Sequence, residues 1–225
     1  MKSVQPLVMA VAILGVSAAS LAQTKPSADT DVYHVMFVKA LPGQAAAVAT
    51  ELQQQDPKDP MAGHVLLLRH QEGADWDYCL IQHVGQRATV AITPPAPNTT
   101  PPTRAWHNDT FVAGPSWAEF SKLMTGSASS VYVVSVHRAV PGRRNQLLEV
   151  LGRPDPSAKV SISHTTLTHL EGGEWQYLSL DRYNSWQDFG TDHTATAAGG
   201  QQGWLEIRQN SVYHTDTLAS RVAPK

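Results

Sequence analysis

One segment of this chain is written twice. Residues 32–83 and 131–182 align without a gap at an offset of 99 positions and share 15 of 52 residues. The best-preserved run is HQEGADWDY at 70–78, matched by HLEGGEWQY at 169–177. Solenoid repeats run to about 20–50 residues, so a period this long predicts a small fold unit in each copy rather than a stacked array.

Each copy opens on a strand-like run rich in β-branched and aromatic residues, VYHVMFVKA at 32–40 and VYVVSVHRA at 131–139. A Pro-Gly turn follows, and then a helical stretch. Val48, Ala49 and Leu52 in the first copy, and Leu147, Leu148 and Leu151 in the second, fall on one helix face. Asp-Pro at 56–57 and 155–156 ends each helix, because the residue before proline avoids the α region. HVLLLRH (64–70) and WDYCLIQH (76–83), joined through Gly73, predict a hairpin; KVSISHTTLTH (159–169) and WQYLSLDR (175–182), joined through Gly172, predict another. The second copy continues with SWQDF (185–189), where Ser185 can cap a helix, and closes on the strand-like VYHTDTLASRV (212–222). In the first copy a proline-rich stretch, 93–103, predicts an exposed extended loop before the strand-like WHNDTFVAG (106–114). SWAEF (116–120) echoes SWQDF but comes after that strand instead of before it. Either the modules have changed order or the echo is accidental, and the sequence leaves both open.

The pattern is β-α-β-β-α-β in tandem. The predicted fold class is α+β, with one ferredoxin-like repeat over 23–125, carrying the insertion at 93–103, and a second over 126–225. Two such units in one chain resemble the dimeric α/β-barrel superfamily in fused form, whose members include antibiotic-biosynthesis-type monooxygenases, stress-responsive barrel proteins and haem-handling chlorite dismutases. The resemblance implies a single-chain barrel pseudo-dimer with helices outside. It brings no active-site motif, and fold alone does not assign function.

Ahead of the repeat, Lys2, an apolar run over 7–19 and small residues at Ser20 and Ala22 predict a signal peptide over 1–22 and an exported protein, periplasmic or secreted. The apolar run is short for a membrane span, which needs about 20 residues. Charge is nearly balanced, 17 basic against 19 acidic residues, with no basic cluster larger than Arg143-Arg144, so nucleic acid is not an expected partner. The single cysteine, Cys79, excludes an intrachain disulfide and sits in an apolar run, which suits a buried small hydrophobe.

Ten histidines are many for a chain of this length, and several are placed by the repeat. His70 and His169 end the second strand of each copy. His107-x-Asp109 and His214-x-Asp216 each put an imidazole and a carboxylate on one strand face. With His70 or His169 as third ligand they compose two 2-His-1-carboxylate sets suited to a divalent metal: His107, Asp109 and His70, and His214, Asp216 and His169. The structural alternative is hydrogen bonding at strand ends. Trp76 with Tyr78, and Trp175 with Tyr177, alternate and so are expected to share a face, either as core or as walls for a flat apolar ligand, with His70 and His169 beside them. His34 and His137 lie on the strand face opposite Tyr33 and Tyr132. If the tyrosines face the helices, these two histidines face the lumen and become candidate proton-transfer residues. Glu72, Glu171, Asp75 and Glu174 flank the hairpin glycines and read as solvated turn residues or as an acid-base pair.

The leading expectation is a small, partly apolar molecule bound in the barrel interior. The enzyme alternative is oxygenase-like or isomerase-like, with a divalent metal, haem or no cofactor, and it requires a cavity of at least about 300 Å³. The third reading is a non-catalytic interaction scaffold. Whether the chain forms a homo-oligomer is left open. Nucleophile-elbow, P-loop, dinucleotide-binding, Cys-x-x-Cys and His-Glu-x-x-His motifs are all absent.

Overall fold

The computed structural model describes residues 30–54, 58, 61–90, 102–153, 158, 160, 162–170, 174–199 and 202–222. The expected signal peptide over 1–22, both Asp-Pro steps, most of the proline-rich stretch and the Glu171-Gly172 turn lie outside the described residues.

In chain order the elements are β1 (Asp31–Ala40), α1 (Ala45–Gln53), β2 (Val65–Glu72), β3 (Tyr78–Gln86), β4 (Arg104–Gly114), α2 (Trp117–Met124), β5 (Val131–Ala139), α3 (Arg144–Leu151), β6 (Ser163–His169), β7 (Tyr177–Tyr183), α4 (Trp186–Gly199), α5 (Gln202–Asn210) and β8 (Ser211–Arg221). The strands close into an antiparallel barrel in the order β1-β3-β2-β8-β5-β7-β6-β4. Within each half the order is fourth, first, third, second strand. No described helix is long and apolar enough to cross a membrane.

The HQEGADWDY and HLEGGEWQY stretches sit where the halves meet. β2 pairs β8 from Leu68 opposite Arg221 to Glu72 opposite Leu218, and β6 pairs β4 with His169 opposite Val112 and Thr168 opposite Ala113, extended by Leu170 N–H donating to Phe111 O at 3.0 Å. Each His closes its own hairpin through its backbone N–H, His70 to Asp77 O and His169 to Gln176 O, both at 2.9 Å. Gly73 has a φ of +125°, and a Cβ there would stand 2.7 Å from Asp216 O, so the tight crossing at the seam needs glycine twice over. The repeated motif is therefore the joint that closes the barrel.

Alternation along the strands sends Tyr33, Val35, Phe37, Leu66, Leu68, Cys79, Ile81, Tyr132, Val134, Leu167, Leu178 and Leu180 inward, where with Trp76 they form one buried cluster. An eight-stranded barrel has an interior just wide enough for side chains to fill. The expected lumenal binding site is thus occupied by core. α2 lies across one mouth: Phe120 packs against Tyr33 with ring centroids 4.9 Å apart, Tyr33 Oη donates to Pro115 O at 2.7 Å, and Tyr132 Oη donates to Met124 O at 2.7 Å. SWAEF and SWQDF are both Ser-capped helix starts, with Ser116 Oγ accepting from Glu119 N and Ser185 Oγ from Asp188 N. They occupy different places, since α2 seals the barrel while α4 packs its Phe189 against Tyr183 of β7. The echo is one of capping chemistry, not of position.

Candidate functional site

Tyr33 and Tyr132 point into the barrel, so His34 and His137 point outward, the reverse of the arrangement that would place them in a lumen. Trp76 and Tyr78 do not share a face. Residues 73–77 form a bend and β3 begins only at Tyr78, so strand alternation does not extend back to the tryptophan. Trp76 joins the barrel core beside Phe37 and His70, while Tyr78 packs under α1 and donates to Ala45 O at 2.9 Å. In the second half Trp175 stacks on His169 at 4.5 Å, and Tyr177 lies under α3, donating to Arg144 O at 3.0 Å.

The two expected metal sets are also split. His107 Nε2 lies 3.1 Å from Asp109 Oδ2 on the outer face, but His70 follows Leu66 and Leu68 to the inner face. His34 takes its place, with Nε2 2.9 Å from Asp109 Oδ1, so the carboxylate bridges two imidazoles. Burial works against the charged form of Asp109, and the neighbouring His34 and His107 outweigh it and hold its pKa below the usual value. His214 Nε2 is 3.8 Å from Asp216 Oδ2, while His169 faces inward, where it contacts Thr110 Oγ1 of the opposite half and Trp175 O at 2.8 Å. Among the described residues no three His, Cys, Asp or Glu side chains converge as a metal site.

What the structure does assemble is a polar outer face on the second sheet. Ser135 of β5 lies opposite Asp216 of β8 on one side and Ser179 of β7 on the other, and Ser179 lies opposite Thr166 of β6. One step along, His137 pairs with His214, their rings parallel within 8° at 6.1 Å. In the other direction His164 Nδ1 meets Asp181 Oδ1 at 2.6 Å, and its Nε2 is 3.1 Å from Thr166 Oγ1. His137 Nε2 is hydrogen-bonded to Ser179 Oγ at 2.8 Å. Its Nδ1 is buried and has no hydrogen-bond partner among the described residues. Ser135, Ser179 and His137 form a buried floor, and Asp181, His164 and the more exposed Asp216 form a rim.

The corresponding face of the first sheet is apolar. Met36, Val38, Val65, Leu67 and Leu80 pack there with Val48 and Leu52 of α1. At the offset of 99 these are the positions of Ser135, His137, His164, Thr166 and Ser179. Of the polar set, sequence reasoning singled out only His137, His214 and Asp216. The signal for the rest was available in the repeat itself, as five polar residues standing opposite five apolar ones.

Burial dominates at His137, disfavouring the imidazolium and lowering its pKa to about 4 despite the nearby Asp216. His164 behaves oppositely: burial opposes its charge, but the hydrogen bond and charge of Asp181 prevail and its pKa is raised. The face thus offers a neutral imidazole at its floor and, at its rim, an imidazole whose charged form is favoured by the neighbouring Asp181.

No protein-family model and no curated protein sequence matches the chain. Solved structures do. An anthrone oxidase-like protein is 12% identical with a TM-score of 0.52, over 87% of this chain and 92% of its own. The chain shares the dimeric α/β-barrel fold. A protein designated a chlorite dismutase is 10% identical, with a TM-score of 0.51 over 87% of this chain and 96% of its own. A protein designated a monooxygenase, from Lactobacillus acidophilus, is 7% identical with a TM-score of 0.47, over 85% and 94%. Identities this low establish the fold and leave the chemistry to the residues.

Proposed function

We propose that this protein is an enzyme of the oxygenase or isomerase type acting on a small, partly apolar molecule, and that its site is the outer face of the second sheet around His137. The observation that carries this reading is the buried polar floor where the first half has a packed apolar one. Filling that floor with Met, Val and Leu would gain about 1.5–3 kcal/mol per side chain, whereas an intramolecular hydrogen bond returns about 1 kcal/mol and an unpartnered buried nitrogen costs about 1–3 kcal/mol. Stability alone does not favour Ser135, Ser179 and His137, and a ligand that hydrogen-bonds His137 Nδ1 supplies the missing interaction. The two halves fit descent from one duplicated unit of which one kept a packed face, and the leader over 1–22 supports action after export.

Cofactor-independent oxygenation and proton-shifting isomerisation both require removal of a proton from the substrate, a task for a general base. When His137 Nε2–H donates to Ser179 Oγ, Nδ1 carries the lone pair and can take that proton. Asp216 and the His164-Asp181 pair then stand near the new imidazolium. The fold's haem-handling members raise haem as a cofactor, but the residues here do not fit it. His137 is buried and its Nε2 is bound to Ser179 Oγ, so the imidazole does not present an open face to a group as wide as a macrocycle.

Thermal-shift screening of small phenols, quinones and enolisable ketones against the wild type and Ser179→Leu, the residue found at the matching position 80, tests the assignment. The expected result is at least one compound that raises the Tm of the wild type and not of the variant, whose own Tm is equal or higher. Equal shifts in both proteins would place binding elsewhere.

A further inference from the structure

At the α2-capped mouth a second cluster of ionisable groups opens on a cavity of about 600 Å³, and none of its members belongs to the His137 face. Asp31 Oδ2 accepts from the Trp117 backbone N–H at 2.8 Å and lies 2.9 Å from His83 Nε2. His83 Nδ1 is in turn 3.1 Å from His64 Nδ1. Trp117 stacks on both imidazoles, at 4.7 Å from His64 and 5.7 Å from His83. Asp31 and His83 are buried, while His64 lies on the cavity wall with Met61, Val84 and Val90.

We infer that this cavity is a separate binding site for a small phenol-like O–H acid, with His64 as the proton acceptor and His83 and Asp31 positioning it. Asp31 Oδ2, 2.9 Å from His83 Nε2 though not in line with an N–H there, favours by its charge the tautomer protonated on Nε2; His83 Nδ1 then accepts from His64 Nδ1–H, and the lone pair of His64 is left on Nε2. The step is a plain proton transfer. The ligand O–H bond breaks with its electron pair remaining on oxygen, the proton forms a bond to His64 Nε2, and a phenolate-imidazolium pair results with nothing oxidised or reduced. The apolar walls suit an aromatic ring, and the volume lies within the range of small-molecule sites, roughly 300–1,000 Å³.

The second half provides an internal control. The positions 99 residues after Asp31, His64 and His83 are Ser130, Ser163 and Arg182. There Arg182 donates through Nη2 to Ser163 Oγ at 2.8 Å and through Nε to Leu123 O at 2.6 Å, a latch on the end of α2 that has no base. Both mouth positions hold α2, Asp31 at its start and Arg182 at its end, but only the first also carries a pair of imidazoles.

4-Nitrophenol reports its own ionisation by colour and serves as the probe on the full chain. The expected result is saturable binding in which the bound phenol ionises at least tenfold more readily than in free solution. His64→Ala and Val90→Trp, the second filling the cavity from its wall, should each abolish the effect, and Ser179→Leu should leave it intact. Loss of the effect in Ser179→Leu with retention in His64→Ala and Val90→Trp would overturn the inference, as would absence of saturable binding to the wild type.

Discussion

At pH 7 the imidazole of His137 is neutral, because burial holds its pKa at about 4, against 6.5 for an ordinary histidine. Between those two values the unfolded chain binds a proton that the folded chain excludes, so this residue makes stability rise with pH from 4 to 6.5 and level off above. The span corresponds to an order of magnitude of about 3 kcal/mol. His83 is displaced downward too, again chiefly by burial, and adds in the same direction. Urea unfolding at pH 4.5 and pH 7 should therefore show a marked loss at the lower pH in the wild type and a distinctly smaller one in His137→Val, the residue found at position 38. Parallel losses in the two proteins would mean that His137 does not titrate as described. The contrast with position 38 also shows what was legible at this scale. His137 stands out in the sequence as a histidine without a repeat partner, but the direction it faces depended on whether Tyr132 faced the helices or the interior, and strand alternation alone does not choose.

The elements were largely readable because each has a local cause: β-branched runs for strands, spaced apolar residues for α1 and α3, serine caps for α2 and α4. The misreading at Trp76 and Trp175 came from extending a period of two through a bend, where the backbone no longer alternates. The placement of α2 was not readable, since a capped amphipathic helix can pack on a sheet face or across a barrel mouth with the same pattern. Gly73 in the hairpin and Gly63 in the turn before β2 offer a direct test at this scale. Gly73 and Gly63 both have positive φ, but a Cβ at Gly73 meets the β8 backbone, whereas one at Gly63 has nothing within 4 Å. Gly63→Ala should cost about 1 kcal/mol from conformation alone, and Gly73→Ala clearly more, because the seam between the halves must open. Equal Tm losses in the two variants would show that the β2–β3 hairpin does not bear on β8 in this way.

For the whole molecule, the offset of 99 residues predicts two units of one pattern, and the strand order runs β4-β1-β3-β2 in the first half and β8-β5-β7-β6 in the second. The offset did not announce that the tyrosines and large apolar residues would take the inner face, where they form one buried cluster of the size that an eight-stranded barrel accommodates. With the interior closed, the candidate chemistry moves to surfaces where the halves differ: the polar face around His137 and the mouth around His64. The measurement that bears most directly on this account is a histidine side-chain NMR titration with whichever compound raises the Tm of the wild type and not of Ser179→Leu. The imidazole signals of His137 and His214 should move together as the compound is added, while those of the inward-facing His70 and His169 stay still. Movement of His70 and His169 with His137 unchanged would contradict it and return the ligand to the barrel interior.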